Sequence, residues 1–372
     1  MRVLMVSTSY PRDAGDWRGL FIRHLAFALA RRQGLALSTW SPPGELPPGA
    51  RAATTDDEAR WLEALMQGGG ISHLMRGGGV RSLLAPAKLI RMLHRAYRRE
   101  SGHDLYHVNW LQCAIPLPAD GKPLLLTVLG NDLKLLRLPF VTRLVRRALK
   151  GRRAVICPNA GWMREPLEAA FGDLAEVVPV AFGIDPVWYQ IERTASEGPE
   201  RWLAVTRLTR DKLGPLFEWS EPHFRDGRRE LHLFGPRQEE LPVPAWVHYH
   251  GPATAMELAD YWFPRATGLV TLSQHAEGRP QVMLEAMAAG LPIIASRTRA
   301  HASLVRHGET GALCDGPSDF DDALSRLGEA GYNQRLGRAA REAILAEVGT
   351  WDDCAARYGA LYARLTGSGR DE

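Results

Sequence analysis

Residues 268–296, GLVTLSQHAEGRPQVMLEAMAAGLPIIAS, constrain the fold of this chain more than any other stretch. Gly268–Leu272 is apolar and β-branched, as suits a strand buried on both faces. Pro280 fits the first position of a helix, where its missing N–H costs nothing. The pattern predicts a helix running to about Ala289 and closed by Gly290 in a left-handed cap. Pro292 then blocks continuation, and Ile293-Ile294-Ala295 opens the next strand. Strand, helix and strand in that order predict a parallel βαβ unit.

Two carboxylates in this unit, Glu277 in the loop and Glu285 in the second turn of the helix, are separated by seven residues. A helix N-terminus offers free N–H groups and partial positive charge, so Gln281, Val282, Met283 and Leu284 form a seat for an anionic group. Glu277 falls on one side of that anion and Glu285 about 7 Å along the axis on the other. A nucleoside diphosphate sugar has this layout of sugar, diphosphate and ribose. Taken singly, either glutamate reads more readily as solvated surface.

The E-x7-E spacing followed by AMAAG-x-P resembles the signature of the retaining glycosyltransferases of family 4 (glycosyl transferases group 1), which have the GT-B fold. The resemblance implies an α/β chain with two Rossmann-like domains facing a central cleft. Residues 1–183 would be the acceptor-binding domain, 184–350 the nucleotide-sugar-binding domain, and 351–372 a helix returning to the first. The roles it carries over are contact with the donor sugar for Glu277 and with the ribose for Glu285. Gly278, Arg279, Gln281, Val282, Met283 and Leu284 complete that part of the donor site. The chain departs from the family at Arg279-Pro280, where an aromatic residue and a glycine are usual.

Other stretches add to the resemblance. Phe182-Gly183-Ile184-Asp185-Pro186 is similar to the family's interdomain hinge. After a predicted strand Trp202–Thr206, the run R-L-T-R-D-K places Arg207 and Lys212 where the family has two diphosphate-binding cations, although Leu213 intervenes before Gly214. Such fixed cations would offset the charge growing on a departing nucleoside diphosphate. Gly19, ahead of the first helical pattern, is the position for backbone approach to the diphosphate. Gly130 and Asp132 resemble the end of an H-G-x-D element, but Leu129 replaces its histidine; capping the next helix suits Asp132.

The activity implied is transfer of a hexose from a nucleoside diphosphate sugar to a hydroxyl of a glycan or lipid-linked acceptor, with retention at the anomeric carbon. The departing diphosphate would help to deprotonate the acceptor. No cofactor and no metal are expected. Asp319-Phe320-Asp321 matches a D-x-D metal motif, but a helix started by Ser318 as N-cap, with Asp321 three residues on, explains it as well. Two other readings stay open. A sugar-nucleotide epimerase of the same fold would turn over donor without acceptor, and a nonenzymatic nucleotide-sugar or membrane-binding module would bind without turnover.

The length of 372 residues, 45% hydrophobic and 24% charged, suits a globular protein of two domains. No run of about 18 apolar residues suggests a transmembrane helix, and the N-terminus reads as a first strand rather than a signal peptide. Cysteines at 113, 157, 314 and 354 lack C-x-x-C spacing, which argues against zinc and disulfides and for a cytoplasmic protein.

The net charge of +4 is modest, but cations are concentrated between about 76 and 153. Arg81, Lys88, Arg91, Arg95, Arg98 and Arg99 flank one apolar helical stripe. Arg143, Arg146, Arg147, Lys150, Arg152 and Arg153 follow in another. Two basic amphipathic helices in one domain point to an anionic membrane surface, on the inner face of the membrane, against the alternative of solvated core helices. Aromatic residues are not interleaved with these charges, so nucleic acid is not expected.

Overall fold

The computed structural model describes residues 1–13, 16, 18–69, 80–194, 198–275 and 277–367. The chain forms two compact units, residues 1–183 with 351–372, and residues 184–350.

The first unit is built on a seven-stranded sheet in the order β3-β2-β1-β4-β5-β6-β7. Its strands are β1 (Arg2–Val6), β2 (Ala36–Trp40), β3 (Arg51–Ala52), β4 (Leu105–Asn109), β5 (Leu124–Val128), β6 (Ala154–Pro158) and β7 (Glu176–Val177). All pairings are parallel. β4, β5 and β6 are buried along their whole length. Helices on both faces account for these near-continuous apolar runs. β7 is only two residues long, yet beyond it the N–H groups of Val178 and Val180 reach the carbonyls of Ile156 and Pro158.

Helix α1 (Leu20–Ala30) packs on one face, where Leu25, Ala26 and Leu29 meet Val3 and Met5. The other face carries α2 (Asp56–Gln67), α3 (Val80–Arg99), α4 (Pro139–Leu149) and α5 (Arg164–Phe171), through Leu62, Leu93, Val145 and Leu167. The two basic helices, α3 and α4, therefore lie in one layer. The glycine run 77–79 and the side chain of Arg81 lie outside the described residues.

In the second unit the sheet order is β10-β9-β8-β11-β12-β13. The strands are β8 (Glu200–Val205), β9 (Arg229–Phe234), β10 (Val247–Gly251), β11 (Gly268–Thr271), β12 (Ile293–Ser296) and β13 (Gly311–Cys314), all parallel. The helices are α6 (Leu216–Phe224), α7 (Gln281–Ala288), α8 (Pro317–Leu327) and α9 (Ala330–Glu347). The chain runs outward from β8 through β9 to β10 and then restarts at β11 on the other side of β8. β8 and β11 thus flank a topological switch point, where a crevice opens beyond the strands' carboxyl ends.

Two helix starts differ from expectation. Pro280 is the N-cap of α7 and not its first residue, because its ψ of 118° is extended. A proline there still costs nothing, since its absent N–H precedes the helical hydrogen bonds. α8 begins at Pro317 with Gly316 as N-cap, so Ser318 does not cap it. Proline's preference for the first helical position outweighs the serine's capping tendency. Gly290 closes α7 with φ of 71°.

The last helix, α10 (Trp351–Thr366), packs in the first unit, burying Trp351, Ala355, Tyr358, Leu361 and Tyr362 with residues of α1 and of β1, β2, β4, β5 and β6. Trp351 stacks on His24 with ring centroids 5.3 Å apart. All four cysteines are buried. Among the described residues no helix is long and apolar enough to cross a membrane.

Candidate functional site

The site is built where the chain leaves β8 and β11. Thr206 donates its N–H to the Phe234 carbonyl, and Leu208 donates to that of Pro236, both at 2.8–2.9 Å, so the loops after β8 and β9 run together. A side chain at Gly235, whose φ is 138°, would place Cβ 1.8 Å from the Thr206 carbonyl oxygen. Only glycine allows that crossing. Gln238 Oε1 then accepts from Arg207 Nη1 at 3.2 Å, and Glu239 Oε2 accepts from the Arg210 N–H at 2.9 Å.

Thr209 caps the short helix Arg210–Leu213, accepting from the Lys212 N–H. At Gly214 the backbone turns with φ of 53°, and a Cβ there would lie 2.1 Å from the Leu272 carbonyl oxygen. The Gln274 N–H donates to the Asp211 carbonyl at 2.8 Å. These contacts join the loop after β8 to the loop after β11. Their result is an ion pair between Lys212 Nζ and Glu277 Oε1, with the two side chains only 12% and 18% exposed. Burial lowers the pKa of Lys212, Glu277 opposes that shift, and Arg207 adds to it.

Glu285 is half-buried on α7. Burial, with a smaller contribution from the Asp185 carboxylate, raises its carboxyl to about 7. Asp185 also caps the short helix Pro186–Tyr189 by accepting from the Val187 N–H at 3.0 Å. Along the start of α7, Gln281 and Val282 are half-buried, whereas Met283 and Leu284 are in the core. The Met283 N–H is taken by the Pro280 carbonyl at 3.2 Å. Within the expected anion seat over residues 281–284, the Met283 N–H is thus already engaged. Gly278 is buried and Arg279 half-buried in the loop before it.

His301 had no spacing to mark it. A four-residue turn, Arg299–Ala302, folds it back under the end of β12, where it is 2% exposed. Its Nδ1 donates to the Ser296 carbonyl at 2.8 Å, and Ser296 Oγ donates to the Ser273 carbonyl at 2.7 Å. Burial lowers its pKa, and it feels Glu277 and Lys212 in opposite senses.

Other expected positions have local roles. Gly19, in the first unit, is the N-cap of α1 with φ of 75°, and a Cβ there would lie 2.5 Å from Ser9 Oγ. Its close approach is to its own loop. Asp132 caps the 3-10 helix Gly130–Arg137, not α4: as its third residue it accepts from the N-cap Leu129 N–H at 2.7 Å, and it also accepts from the Leu111 N–H at 3.2 Å. Burial raises Asp132 to about 7 against those two bonds. Asp319 accepts from the Asp315 N–H, and Asp321 pairs with His223. Among the described residues no group of three His, Cys, Asp or Glu side chains is placed to hold a metal.

The basic helices divide into outward and inward charges. Arg99 pairs with Glu58, Arg146 with Asp173, and Arg152 turns in to the carbonyls of Lys122 and Pro118 and to Asp120. All three are paired within the first unit; Arg152 is buried, whereas Arg99 and Arg146 keep more than a third of their side chains exposed. Arg143, Arg147 and Lys150 are exposed beside Phe140, 61% exposed, and Leu144, 37% exposed.

Residues 202–329 match the family model described as glycosyl transferases group 1. The chain is 35% identical over 136 residues to a D-inositol 3-phosphate glycosyltransferase of Streptomyces bingchenggensis, covering 36% of this chain and 28% of that protein. A protein of the same description from Pseudarthrobacter chlorophenolicus is 39% identical over 108 residues, covering 28% of this chain and 25% of its own length. The chain thus spans well under a third of these relatives' length. Among solved structures, sucrose-phosphate synthase from Thermosynechococcus elongatus superposes with a TM-score of 0.73 at 18% identity, covering 99% of this chain and 100% of the other. Anabaena HepE in complex with UDP and glucose does so at 0.65 and 13%, covering 98% and 99%.

Proposed function

We propose that this chain, which has the GT-B fold and carries a glycosyl transferases group 1 domain over residues 202–329, moves a hexose from a nucleoside diphosphate sugar to an acceptor hydroxyl with retention. The observation that carries the reading is the buried Lys212–Glu277 pair beside Arg207, at the switch point between β8 and β11. Two cations held by backbone loops meet the charge that grows on the departing diphosphate. Glu277 faces the sugar, whose ring gains positive charge as the bond lengthens, and Glu285 holds the ribose. Solved HepE complexes contain UDP or UDP-glucose, which supports a nucleotide-sugar donor.

In this reading the first unit binds a glycan or lipid-linked acceptor. The exposed face of α4, with Phe140 and Leu144 among Arg143, Arg147 and Lys150, rests on the anionic inner surface of a membrane. The test is a thermal-shift screen with UDP, GDP, ADP and dTDP, followed by turnover of the matching sugar donor with and without acceptor. A ligand that binds only the folded state raises its melting temperature. Donor turnover without acceptor favours an epimerase, and binding without turnover favours a nonenzymatic module.

A further inference from the structure

We propose that His232, His248 and His250 form a proton-operated latch, which holds the turn carrying Trp262 against the edge of the second sheet while the rings are neutral and lets it go when they are charged. The latch uses none of the residues assigned to the donor and does not depend on their role.

β10 is an edge strand and runs parallel to β9, with His248 opposite His232. Side chains alternate along a strand, so Leu231, Leu233 and Val247 enter the core, and His232, Phe234, His248 and His250 line the other face. Imidazoles thus stand where aliphatic side chains would pack alike at any pH. His232 stacks on His248 with ring centroids 4.9 Å apart, and His250 stacks on Phe234 at 4.7 Å. Trp262 packs on this face, 4.8 Å from His232, 4.6 Å from His250 and 4.9 Å from Phe234. It ends a π-helical turn, Leu258–Trp262, in which the Phe263 N–H reaches back five residues to the Leu258 carbonyl. Such wide turns are rare, and a helical segment this short depends on what it packs against.

Two hydrogen bonds define the neutral state. The Glu230 carboxylate only accepts, so His232 Nε2 donates to it at 3.1 Å. Nδ1 of the neutral ring is then an acceptor and takes the His250 Nε2–H at 3.0 Å. A proton on His232 has to go to Nδ1, where it sets two N–H donors against each other and breaks that bond. A proton on His248 or His250 puts a cation 4.9 or 5.2 Å from the His232 ring and opposes the next one.

Other charges nearby do little to offset this. Glu230 favours a charged His232 but is shared with Arg201, 3.7 Å away. On the covering segment Glu257 accepts from Thr254, Asp260 is exposed, and Arg265 donates to the Asp260 and Tyr261 carbonyls. Burial first, then the neighbouring histidines, hold His232 and His250 below the ordinary imidazole value of 6.5. Released rings titrate at that ordinary value, so the released state binds more protons and gains population as pH falls below it.

Hydrogen exchange of the full chain, read by mass spectrometry at about pH 7.5 and about pH 5.5 and corrected for the intrinsic effect of pH, tests the latch. Amides 255–263 of the parent are expected to lose protection on acidification, by up to about tenfold per pH unit for each proton taken up on release. Those of α1, in the other unit, are expected to keep theirs. His248→Gln combined with His250→Gln changes two exposed side chains to neutral amides. The double variant is expected to melt with the parent at pH 8 and to keep its protection at both pH values. His248→Gln alone is expected to reduce the loss, because it removes one of the repelling charges, and it decides the matter if the double variant is unstable. Protection of residues 255–263 that is unchanged in the parent, or a loss undiminished in these variants, overturns the latch.

Discussion

Lys212 and Glu277 are 65 residues apart in sequence and form an ion pair in which neither side chain is more than 18% exposed. They meet because Gly214 lets the loop after β8 touch the Leu272 carbonyl, and because Asp211 accepts from the Gln274 N–H. A charge pair this shielded is costly to desolvate, and removing either partner leaves the other uncompensated.

Arg207→Ala and Lys212→Ala are expected to lower turnover by about 10² or more, with smaller effects on donor KM, because the cations act on charge that grows in the transition state. Steady-state kinetics with varied donor check this. Unchanged turnover in either variant makes that residue ordinary surface charge.

Gln238 holds Arg207 through a 3.2 Å hydrogen bond. Gln238→Ala is expected to lower turnover by a smaller factor than Arg207→Ala, and to add little when the two are combined, since both act through one guanidinium. A double-mutant cycle on kcat reads the coupling. Strictly multiplicative effects would separate the two residues.

Glu285 holds its proton to about 7, whereas in the unfolded chain a glutamate loses it near its ordinary 4.5. The sign follows from linkage. A raised carboxyl contributes stability that is fully present below the unfolded value and is lost as pH rises through about 7. Glu285→Gln is therefore expected to melt above the parent at pH 8 and to lose that advantage as pH falls towards 4.5. The same change is expected to weaken nucleotide affinity, if the carboxylate holds the ribose. Melting curves across pH, with nucleotide titrations beside them, measure both effects; equal melting temperatures at pH 8 contradict the burial argument.

Much of this site is legible in the sequence because local chemistry leaves few alternatives. Gly290 must take a positive φ after α7, and the apolar runs at β11 and β12 have no polar face to expose, so the βαβ unit can be read directly. Residues whose roles depend on what folds back on them are a different matter. His301 has no periodicity or motif, and only the turn at 299–302 brings it under Ser296. Gly214 looks misplaced beside the family pattern until the Leu272 carbonyl is seen against it. Arg146 and Arg152 look like their basic neighbours in a one-dimensional list, yet Arg146 is paired with Asp173 and Arg152 turns inward to the carbonyls of Lys122 and Pro118. Ser318 shows a local rule overridden by a stronger one, since Pro317 fixes the helix start two residues earlier than a Ser318 cap would.

The outward charges of α4 make a distinct prediction. Replacing Arg143, Arg147 and Lys150 together with Gln is expected to lower affinity for vesicles rich in anionic lipid, at about 1 kcal/mol per charge. Replacing Arg146, which Asp173 engages, is expected to change it little. Co-sedimentation at physiological salt measures both. A parent protein that never sediments removes the membrane from the account.

The central claim, that Glu277 serves the sugar while the nucleotide is held elsewhere, is tested most directly by Glu277→Gln. The change keeps the size of the side chain and removes its charge. Donor turnover is measured beside calorimetric affinity for the matching nucleoside diphosphate. The account predicts turnover lower by about 10² or more with nucleotide affinity nearly intact. Turnover close to that of the parent, or nucleotide affinity lost along with activity, would contradict it.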